Sequence, residues 1–227
     1  MSFVSLIPGD TTFTILNHKV MKFNLITTAV LFLTSIGFGQ EVNVGSEPKA
    51  TFILQIGDQQ YFLSQGEEMT LDPIDKAAKV SIRLGDSKRL ETGAMAFDYP
   101  NGYGFEFEES EGYKNWTLDG NNFVITLFQF DAKTELDDFL DLMISQFGKK
   151  NTSTSATSMT LGNRKLEGKR LDVSLVGQRI SLDFLEIVQP DGKTRFLALQ
   201  DTKNEDGSDS AESRDTIKMI AGSVKYD

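Results

Sequence analysis

Near the C-terminus, Asn204-Glu205-Asp206-Gly207 has the residue types of a calcium loop, oxygen ligands set against a glycine turn. Placing Gly207 at the sixth position of an EF-hand puts Thr202 first and Ser213 twelfth. Those places require an Asp and a bidentate Glu, so both end ligands fail. A looser cation site from Asp201, Glu205, Asp206 and Asp209 stays open beside the preferred reading, a solvated loop. A second acidic group, Glu106, Glu108, Glu109 and Glu111, has the pairing that glycoside hydrolysis uses when two carboxylates flank a sugar. Glu106 and Glu108 alternate with Phe105 and Phe107, however, which is how a strand presents its wet face. Tyr99, Tyr103, Tyr113 and Trp116 form the third constellation. Amphipathic aromatics near two turns suit a binding platform for carbohydrate or protein, with Trp116 as a core anchor the plainer reading.

Composition narrows the chemistry. Lys22 followed by the apolar run Leu25–Phe38, with Gly37 and Gly39 near its end, reads as a secretory signal peptide over residues 21–39. That run is too short to cross a bilayer core of about 30 Å. Met21 is then the expected start, and residues 1–20 an upstream start artefact. Removing Lys19, Lys22 and Asp10 from the 23 basic and 33 acidic residues leaves a net charge of −11, and His18 is the only histidine. The remaining chain, from Gln40 or Glu41, holds neither histidine nor cysteine. A Ser-His or Cys-His nucleophile pair is therefore excluded, and zinc, copper or haem ligation loses its usual donors. No disulfide and no lipid-anchor cysteine is available. No catalytic residue, metal or cofactor is expected. The acidic balance disfavours nucleic acid and anionic membrane surfaces. The expectation is an exported, soluble, non-enzymatic protein of the periplasm or extracellular space, with no membrane anchor after cleavage and an unidentified protein partner.

The elements that must position these residues follow from periodicity. Residues 40–49 read as a flexible leader and residues 50–91 as a strand-rich N-terminal module. Its strands are Ala50–Ile56, Gln60–Ser64, Met69–Leu71 and Lys79–Leu84, with Asp72-Pro73 between the last two. Ala94–Tyr99 ends at Pro100-Asn101-Gly102, a turn signal, and Gly104–Glu109 follows. Asn122–Phe130 is apolar on both faces and predicts a central strand covered twice. Leu136, Phe139, Leu140, Met143 and Phe147 recur at helical spacing, with Thr134 as the expected N-cap and Gly148 as the stop. After the Ser/Thr-rich stretch 151–160, a meander of Lys169–Val176, Arg179–Gln189 and Lys193–Asp201 turns at Gly177-Gln178 and Pro190-Asp191-Gly192. A polar loop, Thr202–Ser208, leads to a last helix from Asp209 or Ser210 that buries Ile217, Ile220, Ala221 and Val224. The fold class is α+β, an antiparallel sheet flanked by helices.

Over residues 92–227 this order resembles the PsbP/Mog1/DcrB-like fold. The residues that carry the likeness are Tyr99-Pro100 with Gly104-Phe105 and Trp116, like the family's opening hairpin, the helices at Leu136–Phe147 and Ala211–Val224 with a meander of matching strand number between them, and the strand start after Gly168. The resemblance implies an α-β-α sandwich and a non-enzymatic protein that docks on a larger assembly or is exported. It carries no shared catalytic motif, and residues 50–84 have no counterpart in its minimal core. Two rivals remain open: a carbohydrate- or lipid-binding module, and a carboxylate-based glycoside hydrolase. The hydrolase predicts two acids converging in a concave pocket with raised pKa values. A ligand-binding module predicts a closed apolar pocket between sheet and helix. Docking predicts a shallow aromatic or apolar patch.

Overall fold

The computed structural model describes residues 46–70 and 78–226. The expected start artefact (residues 1–20), the expected signal peptide (residues 21–39), most of the expected leader, Leu71 and Asp72-Pro73 lie outside the described residues.

The fold is organised around its most apolar strand. β8 (Phe123–Phe130) has seven consecutive buried residues, as two covered faces require. Phe123, Ile125 and Leu127 point into one core and Phe128 into the other, with Phe130 packed against the second. β8 lies third in a seven-stranded antiparallel sheet with β6 (Gly104–Ser110), β7 (Tyr113–Asp119), β9 (Thr152–Leu161), β10 (Arg164–Leu175), β11 (Gln178–Glu186) and β12 (Thr194–Thr202). The order is β6-β7-β8-β12-β11-β10-β9.

One face takes α1 (Leu136–Phe147). Leu136, Phe139, Leu140 and Met143 are buried against Phe128, Phe184, Phe196 and Leu182. Phe139 is central, its ring 5.2–6.0 Å from four other phenylalanines. The other face takes α2 (Ala211–Ser223) through Ile220, together with Leu90, Met95, Phe97 and Tyr99. Those four belong to β4 (Ser87–Glu91) and β5 (Met95–Pro100), which form a second sheet with β13 (Lys225–Tyr226). Tyr226 donates to the Leu161 carbonyl and lies under Arg164, 4.4 Å from the guanidinium carbon, fixing the end of the chain to the main sheet. The architecture is sheet-rich, mixed α+β. A third sheet, in the order β2-β1-β3, stands apart: β1 (Thr51–Ile56), β2 (Gln59–Ser64) and β3 (Val80–Leu84).

Several expectations are corrected. Glu135, not Thr134, occupies the N-cap of α1 and makes no side-chain cap; the Thr134 hydroxyl instead donates to the Ala132 carbonyl. Ser210 does cap α2, accepting from the Ser213 N–H. The hairpin between β10 and β11 turns on Val176-Gly177, because Leu175 pairs with Gln178. Both turn residues have positive φ, 48° and 80°, the mark of a primed turn. Met69 and Thr70 lie outside any strand. β4 pairs with β5 from Ser87↔Pro100 to Glu91↔Ala96, so a boundary at 91/92 falls inside a hairpin. The Ser/Thr-rich stretch is the edge strand β9, and Tyr113–Asp119 is a full strand. Among the described residues no helix is long and apolar enough to cross a membrane.

Candidate functional site

The third sheet violates the burial rule that the other two obey. Its register pairs Phe52 with Leu63 and Leu84, Leu54 with Tyr61 and Ile82, and Ile56 with Gln59 and Val80. Directly paired residues share a face, and alternate residues along a strand return to it. One face therefore carries Phe52, Leu54, Ile56, Tyr61, Leu63, Val80, Ile82 and Leu84, with Gln59 the single polar member and no charge. None of the eight is buried: Val80 is 58%, Ile82 65% and Leu84 50% exposed, and the rest are half-buried. Gln59 accepts from the Tyr61 hydroxyl, which satisfies a polar atom of the face internally. The opposite face carries Thr51, Gln55, Gln60, Ser64, Ser81 and Arg83 with Ile53 and Phe62, and only Ile53 is buried.

The sheet is held in a defined place. Only Gly85-Asp86 separate β3 from β4. The Gly85 N–H donates to the Thr51 carbonyl at 2.7 Å, and Asn101 donates from its amide side chain to the Gly85 carbonyl and from its backbone to the Asp86 carbonyl. A Cβ at Gly85 would lie 2.8 Å from the Thr51 oxygen, so the crossing admits only glycine without a shift. Lys88 pairs with Glu47 at 2.5 Å, tying the approach to β1 onto β4. The apolar face is thus presented by a bonded tether.

A cleft of about 410 Å³ opens elsewhere, between the β5–β6 and β7–β8 turns and α2. Tyr103, Asp119, Glu212, Asp215 and Thr216 line it. Glu212 is fixed by accepting the backbone N–H groups of Asn121 and Asn122 at 2.8 and 2.6 Å. Tyr103 and Thr216 share a buried hydrogen bond of 2.9 Å. Burial, with acidic neighbours, pushes the Tyr103 phenol above its ordinary value, so it stays neutral at physiological pH. Three carboxylates give the cleft the field of a weak cation site rather than an anion site.

The four aromatics of the expected platform do not share a surface. Tyr99 and Tyr103 are core side chains, at 0% and 6% exposure. Trp116 packs on the same core, its ring 5.4 Å from Phe107, whereas Tyr113 packs against the α1 core on the other side of the sheet. The β7 alternation separates them: residues 113 and 116 have opposite parity. The acidic stretch is similarly dispersed. Glu108 accepts from Asn115 at 2.8 Å, Glu109 pairs with Lys114, and Glu106 is exposed. The Glu106 carboxyl is raised from its ordinary value, first by desolvation and then by Asp119 and Glu108.

In the expected cation loop, the Lys203 ammonium stands between Asp201 and Asp209, 3.1 Å from the former. Asp206 turns back to the Ser208 hydroxyl and N–H. Among the described residues no group of three or more acidic side chains, histidines or cysteines is arranged to hold a metal ion. Nearby, Arg170 grips the 5%-exposed Asp183 through two hydrogen bonds of 2.7 and 2.6 Å. That pair, and the open face of the small sheet, escape a reading of the sequence alone. Alternation in Val80-Ser-Ile-Arg-Leu84 announces an apolar face without saying whether anything covers it.

No known protein-family model and no curated protein matches this chain.

Proposed function

We propose that this chain is an exported, non-catalytic docking protein whose contact surface is the apolar face of the β2-β1-β3 sheet. Residues 21–39 would direct export, and the remainder, a PsbP/Mog1-like sheet flanked by helices, would serve as the rigid body carrying that surface. The observation behind the reading is the row Val80, Ile82, Leu84 standing half or more exposed beside five half-buried apolar neighbours. Exposed apolar patches of about 300–600 Å², the largest that a typical monomer carries, are often functional. The glycoside-hydrolase reading asks for two acids with raised pKa values in one cavity. The raised Glu106 is not among the residues lining the cleft, and Glu212 is already committed to two backbone donors. The aromatic platform reading would now rest on Trp116 alone, half-buried at the edge of the main core.

The test is affinity capture from the native envelope fraction with the exported protein as bait, alongside its Ile82→Lys variant. Ile82 is exposed on a strand with no buried residue, so the charge leaves folding intact, checked by circular dichroism and Trp116 fluorescence. A stoichiometric protein retained by the wild type and lost in the variant supports docking. Equal retention by both, or none across several salt concentrations, rejects it. N-terminal sequencing of the same product should start at Gln40 or Glu41.

A further inference from the structure

The occupant of the open face can be argued from its shape. A three-stranded sheet with one apolar face is half of a β-sandwich, since two such faces pack about 10 Å apart with interdigitating side chains. Among the described residues, the other two sheets supply no complement: the main sheet buries apolar residues on both faces, and the sheet of β4, β5 and β13 is packed on the main core. A matching element must be another small, uncharged, apolar sheet face, and a second copy of this chain carries one. We propose that the face is a two-fold interface, in which Phe52, Leu54 and Ile56 of one copy cross over the same strand of the other, rimmed by Val80, Ile82 and Leu84. This deepens the docking reading and rests on it.

Size and charge both fit. Three strands of five or six residues cover a footprint of roughly 15 by 17 Å, on the order of 400–500 Å² of accessible surface with side-chain relief counted. Two copies would bury about 1,000 Å², the lower limit of a specific interface, which implies a reversible dimer. The formal net charge of the chain is −10, yet the face itself carries none. Closing it opposes no like charges directly, and the repulsion between copies is long-range and screened by salt. Association should therefore tighten as salt rises, whereas an ionic contact would loosen.

The experiment is sedimentation velocity on the protein recovered after export from cells expressing the full chain, across about 1–200 µM. The wild type is expected to shift from monomer to dimer with a dissociation constant in the micromolar range, lower at high salt. Ile82→Lys is expected to weaken the dimer at least tenfold, and Ser81→Lys, on the opposite face of the same strand, to leave it unchanged. A wild type monomeric throughout, a dimer unaffected by Ile82→Lys, or one equally lost in Ser81→Lys overturns the proposal. A monomeric wild type that still captures a different protein, with capture lost in Ile82→Lys, removes the second copy as occupant and leaves docking standing. Monomer without capture removes both.

Discussion

Replacing Gly168 by alanine probes how tightly the main sheet is built. Gly168 sits inside β10, paired with Leu185 on one side and Thr157 on the other. A Cβ there would lie 1.9 Å from the Phe184 carbonyl oxygen and 2.8 Å from its carbon. Real Cβ contacts do not fall below 3.0 Å, so one strand must retreat by about 1 Å. The obstacle is backbone, held because Phe184 and Leu185 are fully buried in opposite cores. Overpacking of this kind costs about 1–3 kcal/mol, and disturbing two ladder hydrogen bonds adds about 2 kcal/mol. Restricting the unfolded chain returns about 0.4–1 kcal/mol, leaving a net loss of about 3 kcal/mol. Equilibrium urea unfolding followed by Trp116 fluorescence reads this directly. With an m-value of about 2 kcal/mol/M, the midpoint should fall by about 1.5 M. Gly222→Ala is the control: that glycine, in α2, has nothing within 4 Å of a built Cβ, and the change should stabilise by up to about 1 kcal/mol. A Gly168→Ala midpoint within about 0.3 M of wild type would refute the close approach of β10 to the β11 backbone.

Val176 holds φ 48° and is 95% exposed, so Val176→Asn should stabilise by about 1 kcal/mol in the same urea assay, by relieving a β-branched residue from left-handed backbone. Glu106 has a folded pKa above its unfolded value of about 4.5, so its ionisation opposes folding. Glu106→Gln should raise the melting temperature at pH 7, with the gain shrinking as pH falls through the folded pKa and gone below pH 4. Asp183→Ala leaves the Arg170 guanidinium without its two acceptors and should cost about 2–3 kcal/mol, discounted because Arg170 is a third exposed.

How far the sequence reaches depends on whether periodicity coincides with burial. β8 and α1 were legible because each is covered on every apolar face, and Phe123, Ile125 and Leu127 separate from Phe128 and Phe130 as alternation demands. β9 was not legible, since an edge strand paired on one side needs no apolar period and tolerates Thr-Ser-Thr-Ser-Ala-Thr-Ser. β7 hid for another reason: Asn115 and Thr117 are buried at 2% and 4%, so polar letters mark interior positions. The aromatic constellation misled because proximity in sequence ignores strand parity, which sends Tyr113 and Trp116 to opposite cores. The N-cap of α1 slipped by one residue, as boundaries do where no side chain bonds the first turn.

The central claim is that the face bearing Ile82 is covered in use and the face bearing Ser81 is not. A photo-crosslinking phenylalanine analogue placed singly at position 82, or at position 81, in the full chain within its native cells tests it most directly. Adducts at 82 of one defined mass, either twice the chain or the chain plus one partner, with none at 81, are the predicted result. No adduct at 82, or equal adducts at both positions, would contradict the account.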